Sequence, residues 1–492
     1  MKKIVYSLIL MQLFLTIVAG CGKFGSINRD PNNPSSTDNR YIFMDASRYV
    51  ANMFIVGTYN PFPQHWVHYW AERQNVQYTV MNLDTWTVNT YYYRPLKDLA
   101  SIIETNTDPE TKAQSWVTNL GSNANQIAVA KTLTAFFYMH MTDALGMIPY
   151  SEALKANEGN YTPKYDTQEF IYADLEKELN DAYAMFDNNG PFSSQFDIFY
   201  GGDMNKWKKF NASIRMLMAI KMDKVDPTNG RARFAKAYQD GGIMNNADNF
   251  NYKYLPENNN SNPLYDNIFV TRRDDFAPCL TFMDTLKAFS DPRLYAYCTP
   301  NREGDYVGVP FGMIASDLSA SGLSNLASSF TSRFTAQDAV GTLTCASQML
   351  LHAAEAAILG WIDMDPFDLY RRGIEASFEL NNIALSEVAV YMNQPRVQLI
   401  AGETEDNIKK ISLQKWIQGF GQDCFEAWSE WRRHRIPDLR IGPAAGASLD
   451  GRPMPDRIRY GTNDYTTNQA AYQEAIALQG PDALFTKVWW NK

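Results

Sequence analysis

The chain has 492 residues with a formal net charge of −9, and 45% of its residues are hydrophobic, which is ordinary for a globular protein. It contains no run of basic residues long enough to follow a phosphate backbone, which argues against nucleic acid as a partner. The sparse Lys and Arg residues also argue against electrostatic attachment to a membrane surface.

The first 21 residues are typical of an exported bacterial lipoprotein. A short cationic start at residues 1–3 precedes an apolar run at 4–18, and two small residues stand directly before Cys21. The apolar run is shorter than the roughly 20 residues of a membrane-spanning helix. We predict a signal peptide at residues 1–20, lipidation of Cys21, and a lipid-anchored linker over 21–40, which is rich in Gly, Asn, Pro and Ser. Residues 41–492 are predicted to form a single domain.

Helical periodicity dominates this domain. One helix is predicted to start at Asp365-Pro366, because an N-capping side chain is followed there by proline at the first helical position. The stretch 344–383 pairs small residues with an aromatic stripe, which is a weak match to a tetratricopeptide repeat. Apolar side chains at three- and four-residue spacing predict helices at 41–56, 125–141, 167–186, 205–222, 344–360, 411–418 and 424–433.

Two long irregular tracts interrupt the helices, at residues 57–90 and 244–310. Loops of this length in a compact protein are usually functional or disordered. The predicted fold class is therefore mainly α, a tetratricopeptide-like helical-pair scaffold with a large loop-rich portion.

Besides Cys21, the chain has four widely spaced cysteines, which form no metal-binding pair. Both a Cys279–Cys298 bridge and free buried thiols stay open as alternatives.

The first irregular tract is the main candidate site. The chain has 28 Tyr, 27 Phe and 11 Trp residues, and flat aromatic rings beside hydrogen-bonding groups are typical of a surface that binds sugars. The alternative is that these rings pack the loops onto the helical core. The candidates are Trp66, Trp70 and Trp86 for stacking, Arg73, Gln77 and Asn89 for hydrogen bonds to hydroxyls, and Arg302 with Tyr306 as a weaker set in the second tract.

No motif indicates catalysis. The His65-x-x-His68 pair with Glu72 does not have the spacing of a zinc motif, and we predict no metal site. The sequence has no nucleophile elbow, phosphate-binding loop or dinucleotide fingerprint. Neighbouring acids such as Asp274-Asp275 are more typical of solvated faces than of a glycosidase pair. We predict no enzyme activity and no cofactor, with a structural calcium ion left open.

Nine segments of the chain, in order, carry a resemblance to a known family: 28–34, 142–154, 207–215, 262–265, 291–294, 304–310, 414–416, 426–428 and 487–490. Together they resemble the SusD/RagB family of outer-membrane nutrient-binding lipoproteins of the Bacteroidetes, particularly its SusD-like branch. Gly461-Thr462-Asn463 departs from this likeness, because relatives tend to carry a Pro-x-Glu turn there. The absence of an early acidic cluster after Cys21 leaves a periplasmic location open beside the cell surface.

The resemblance implies a tetratricopeptide-like scaffold with an irregular ligand-binding half. It also implies non-catalytic capture of an oligosaccharide or polysaccharide and its delivery to a TonB-dependent SusC-like transporter. The implied location is the outer membrane, anchored by lipid and facing the cell surface. The alternatives are a RagB-like peptide ligand, a structural lid for the transporter and, less favoured, a surface glycosidase.

Overall fold

A computed structural model describes residues 37–55, 62–74, 76, 78–79, 88–439, 441–442 and 454–492, and for residues 88–92 it describes the backbone only. The predicted signal peptide, Cys21 and most of the linker lie outside the described residues. Those predictions, and the division into segments at 20 and 40, therefore stay predictions. Within the described chain, one hydrophobic core cluster extends from Phe43 to Trp490, which supports a single folded body.

The helices follow from local sequence signals. Asp38, Ser122, Thr167 and Asp203 each accept a hydrogen bond from the backbone of the first turn that follows them. In chain order the helices of this half are α1 (Asn39–Phe54), α2 (Phe62–Trp66), α3 (Val88–Thr107), α4 (Ser115–Thr118), α5 (Asn123–Leu145), α6 (Gln168–Met185), α7 (Met204–Ile220) and α8 (Pro227–Asp240).

The remaining helices belong to the second half of the chain. Asp365 caps one of them, since its carboxylate accepts from the Phe367 backbone N–H at 2.9 Å. These helices are α9 (Pro263–Tyr265), α10 (Leu280–Ala288), α11 (Arg293–Tyr297), α12 (Ala315–Ala320), α13 (Leu323–Leu326), α14 (Ser332–Thr335), α15 (Ala346–Ile358), α16 (Pro366–Leu380), α17 (Ser386–Met392), α18 (Thr404–Gln418), α19 (Cys424–His434), α20 (Thr462–Thr467) and α21 (Gln469–Gln479).

Sequential packing of helices builds the scaffold. Each of α3, α5, α6, α7 and α8 contacts the helix before or after it, and α15 packs on α16, α18 and α7. Helix α19 returns to contact both α5 and α2, so it joins the two ends of the series. The α15–α16 pair corresponds to the stretch 344–383, whose small and aromatic residues predicted a helical repeat. The two helices pack closely, because Gly373 of α16 has no side chain and lies against Leu351 of α15.

Short antiparallel pairs of strands organise the irregular half. Strand β4 runs next to β8, and β1 runs next to β5, so residues far apart in sequence meet at these pairs. The strands are β1 (Trp70–Glu72), β2 (Ile148–Pro149), β3 (Tyr165–Asp166), β4 (Phe250–Lys253), β5 (Phe276–Pro278), β6 (Cys298–Thr299), β7 (Ser329–Phe330) and β8 (Val340–Thr344), with β2 paired to β3 and β6 to β7.

The mainly α, helical-pair prediction is confirmed. The predicted helices all form, and the window at 411–418 is the end of the longer helix α18. The second tract is more ordered than expected, because it contains α10, α11 and strands β4 and β5. Those elements are short, and their stability comes from contacts with distant parts of the chain.

Candidate functional site

The predicted stacking residues Trp66 and Trp70 lie in the core. Trp66 is fully buried, and its ring meets that of Trp428 edge-on with centroids 5.0 Å apart. Trp70, only 2% exposed, lies between Phe276 and Phe330, at 5.6 and 5.1 Å. Neither ring offers a free face to a ligand, so the structure supports the packing alternative for both.

Arg73 is also buried, and its side chain contacts other residues of the protein rather than solvent. Its side chain is 8% exposed and donates to the Ser329 hydroxyl at 2.7 Å, while Nη1 lies 3.2 Å from the Asp274 carboxylate. Burial lowers the pKa of Arg73, and the charge of Asp274 opposes that shift. These contacts join the end of β1 to Asp274 and to strand β7, and they correct the expectation that Arg73 is free to bind sugar hydroxyls.

Gln77 and Trp86 lie outside the described residues, and only the backbone of Asn89 is described, at the start of α3. Their predicted roles stay predictions. The chain beside them is anchored: Glu72 accepts hydrogen bonds from the backbone N–H groups of Tyr78 and Thr79, at 2.9 and 3.0 Å. The Tyr78 ring also stacks on His65, with centroids 5.3 Å apart.

Arg302 and Tyr306 are the predicted pair that solvent reaches. The Arg302 side chain is 71% exposed, and Tyr306 is half-buried. The Tyr306 ring meets the exposed ring of Tyr295 edge-on at 5.4 Å, and partial burial raises the pKa of Tyr306. The two tyrosines form a small aromatic patch.

The two histidines of the first tract have separate packing partners. His68 stacks on Phe311 at 4.2 Å, and its Nδ1 is 3.0 Å from the Thr281 hydroxyl. Burial, with the nearby ring of His65, lowers the pKa of His68 to about 3, so it is neutral at physiological pH. His65 instead lies against Tyr78 and Phe276.

A polar cleft of about 370 Å³ lies where α1, β4 and the 259–273 segment meet. Tyr252 and Tyr254 are two residues apart on or just after β4 and therefore face the same side, with ring centroids 4.9 Å apart. Arg48 and Asn52 face it from successive turns of α1. The remaining lining residues are Asn259, Asn260, Ser261, Pro263, Asp266, Asn267, Thr271 and Arg273.

The cleft offers polar groups of both signs. Tyr254 is 2% exposed, and its hydroxyl has no hydrogen-bond partner in the described part of the chain, while burial raises its pKa. Asp266 accepts from the Ser261 hydroxyl at 2.7 Å, and Arg273 contacts Asp275 at 2.9 Å. Amide side chains can donate and accept at once, which suits a ligand with many hydroxyls.

The cleft borders the aromatic tract that the sequence singled out. Gln74 donates from Nε2 to the Arg273 carbonyl at 2.9 Å, and the Arg73–Asp274 contact lies beside it. Sequence reasoning marked the second tract for its length but proposed no residue of this cleft as a binding residue. The alternation of Tyr252 and Tyr254 at the end of a strand, beside an Asn-rich turn, is the signal that could have found it.

This geometry is that of a helical protein with an open polar cleft of a size typical for small-ligand sites. Residues 31–461 match the SusD-like family described as starch-binding and associating with the outer membrane. The chain belongs to this SusD-like family. Members of the family are non-catalytic binding proteins, and the chain is accordingly not an enzyme. No protein with a curated description matches the sequence.

Solved structures show the same fold. A chitin-binding protein is 26% identical with a TM-score of 0.74, and the match covers 92% of this chain and 99% of that one. A chitin-binding SusD homolog from Flavobacterium johnsoniae is 22% identical with a TM-score of 0.77, over 92% and 99%. A SusD homolog from Bacteroides uniformis is 22% identical with a TM-score of 0.78, over 92% and 99%. None of the described helices is long and apolar enough to cross a membrane.

Proposed function

We propose that this protein captures an oligosaccharide or polysaccharide in the cleft beside Tyr252 and Tyr254 and delivers it to a TonB-dependent SusC-like transporter. The observation that carries the proposal is the cleft itself, which combines two tyrosines, several amides and two guanidinium groups in one open volume. Family membership supports a binding role, and the descriptions of the family and of its chitin-binding relatives make starch and chitin the first glycans to test.

The binding chemistry follows from the lining residues. Hydroxyls of a sugar are satisfied by Asn259, Asn260 and Arg273, while the tyrosines supply ring area and the unpartnered Tyr254 hydroxyl. A single hydrogen bond of this kind contributes about 0.5–1.5 kcal/mol net. Several together give the modest affinity that suits a protein that passes its ligand on.

Calorimetric titration of the purified protein with chitin and malto-oligosaccharides tests the cleft. Asn260→Ala and Arg273→Ala should each weaken binding about 2- to 10-fold, since each removes about one hydrogen bond. Lys253→Ala is the matched control, because Lys253 is exposed on the other side of β4. Unchanged affinity in both cleft variants would contradict the site, and binding of a peptide pool in place of glycans would favour the RagB-like alternative.

The anchor and the partner need their own tests. Lipidation of Cys21 predicts that the Cys21→Ser protein is lost from the outer-membrane fraction and no longer takes up a labelled fatty acid. Delivery to a transporter predicts that the SusC-like protein co-purifies with the wild-type chain from membranes. If transporter and chain separate completely under mild extraction, the delivery step loses its support, whereas glycan binding is unaffected.

A further inference from the structure

A buried cluster of ionisable side chains joins α15, α18 and α19 in the helical half. Lys415 of α18 contacts both Glu355 and Glu430, and Arg433 donates to Glu355 through Nη2 at 2.6 Å. Within the cluster is an internal cavity of about 20 Å³, whose lining includes Gln348, His352 and Glu426. This volume holds one water-sized particle.

Three potential ligands converge on this cavity. Ligand atoms of His352, Glu426 and Glu430 all lie within 4.8 Å of one another, and all three residues are buried. His352 Nε2 is 3.1 Å from Glu430 Oε1. An imidazole nitrogen and a carboxylate oxygen on adjacent positions of one ion, each about 2.1 Å from it, are separated by a distance of this order.

The other nitrogen of His352 is held as in a metal site. Nδ1 is 2.7 Å from the Gln348 backbone carbonyl, and because a carbonyl only accepts, Nδ1 carries the hydrogen. Nε2 then faces the Glu430 carboxylate, to which it can donate when protonated or beside which it can offer a lone pair to a shared cation. Metal-binding histidines characteristically donate their second ring N–H to such an acceptor, which fixes the ring orientation.

Polar atoms around the cavity lack partners. Among the described residues, Glu426 Oε1 and Gln348 Oε1 make no hydrogen bond, although these side chains are 1% and 6% exposed. The second oxygen of Glu426 accepts from Lys221 at 2.6 Å, so only one side of this carboxylate is satisfied. Buried polar atoms left unpaired are costly, and two such atoms beside one small cavity can contact a bound ligand.

The charge of the cluster is compatible with a bound cation. Six carboxylates lie beside four permanently charged cations, and three histidines also contact these carboxylates. With His352 and His434 neutral, net negative charge remains even when His140 is counted as positive, and a divalent cation offsets it. The carboxylates are Asp143, Asp223, Glu355, Asp423, Glu426 and Glu430, the permanent cations are Lys221, Lys415, Arg432 and Arg433, and the histidines are His140, His352 and His434.

We propose that the cavity binds one first-row divalent cation, represented by Zn²⁺, through His352 Nε2 and the carboxylates of Glu426 and Glu430, with Gln348 Oε1 as a further ligand. Imidazole with carboxylate oxygens suits zinc, whereas calcium takes six to eight oxygen ligands, more than this cavity presents. Such an ion joins α15 to α19 inside the core. The site is independent of the proposed glycan cleft.

The test is zinc retention by the purified protein after removal of metals with a chelator. Incubation with Zn²⁺ followed by desalting should leave one zinc per chain and raise the midpoint of thermal unfolding. Glu426→Gln and His352→Gln should each lower the retained zinc at least 10-fold. His434→Gln is the matched control: His434 is 3.1 Å from Glu355 in a neighbouring group with Asp223 and should keep its zinc.

Three results would overturn the proposal: no zinc retained by the wild-type protein, equal retention in the His352 variant, or selective loss in the His434 variant. Should the core variants fail to fold, X-ray absorption at the zinc edge of the wild-type protein decides. The proposal requires one imidazole with carboxylate oxygens around the metal. A shell of oxygens only, or of two imidazoles, would contradict it.

Discussion

At the scale of single residues, His140 shows how burial and charge oppose each other. Its Nδ1 is 2.9 Å from the Phe136 carbonyl, and its Nε2 is 2.7 Å from the Asp423 carboxylate. Both partners are acceptors, so both ring nitrogens carry hydrogens and the ring is an imidazolium ion. Burial alone would lower the pKa of His140, but the charge and hydrogen bond of Asp423 outweigh it, and the pKa is raised.

This raised pKa predicts a pH-dependent stability. The contribution of His140 is complete below the pKa of an unfolded histidine, about 6.5, and is lost as the pH rises through the higher pKa of the folded state. Urea unfolding should therefore give a decreasing free energy of unfolding above about pH 6.5. In His140→Gln this decrease should become shallower.

His68→Gln is the control for this experiment, because the pKa of His68 is lowered to about 3 and its charge does not change in that range. A wild-type stability that stays constant from pH 6.5 upward, or an identical slope in His140→Gln, would contradict the charged state of His140.

At the scale of elements, the start of α16 was predictable because its signal is local. Asp365 accepts from the first turn, and Pro366 stands at the first helical position, where its missing N–H costs nothing. The cleft was not predictable in the same way. Arg48 of α1 and Arg273 come together only because β4 pairs with β8 and β1 with β5, and no local pattern encodes those pairings.

The same contrast explains the tryptophans. The composition of an aromatic-rich loop is the same whether its rings face the solvent or the core. Trp70 is buried because Phe276 and Phe330, more than 200 residues away, cover it. Its neighbour Arg73 is likewise taken up by contacts with residues 274 and 329. Sequence could mark this region for attention, but it could not tell which side chains stay accessible.

Removing the cap of α16 should have a small, measurable cost. Asp365→Ala should lower the free energy of unfolding by about 1 kcal/mol, the usual effect of losing an N-cap side chain. The measurement is chemical denaturation at constant pH. Asp363→Ala is the control, because Asp363 is an exposed acid two residues earlier. Equal effects of both substitutions would show that charge, rather than capping, is responsible.

At the scale of the whole molecule, buried polar groups tie the irregular half to the helices. Arg293 at the start of α11 pairs with Asp291 and donates to the Tyr391 hydroxyl at 3.1 Å and to Gln414 at 2.8 Å. It thereby connects a short loop helix to α17 and α18. Since breaking a buried ion pair is strongly destabilising, the two halves should unfold together.

The reactivity of the four described cysteines tests the packing of the same core. All are free and buried, so the Cys279–Cys298 bridge that the sequence left open is not present. Burial raises the pKa of Cys279 and of Cys345 to about 11. In a Cys21→Ser background, a thiol reagent should label none of the four in the native protein and all four in denaturant. Rapid labelling of the native protein would contradict this packing.

The most direct measurement of the central claim is a crystal structure of the protein with the oligosaccharide that binds it most tightly. The account predicts sugar rings in the cleft, within contact distance of Tyr252, Tyr254 and Asn260. A glycan found instead against Tyr295 and Tyr306, with the cleft empty, would contradict the proposed site and move binding to the exposed aromatic patch.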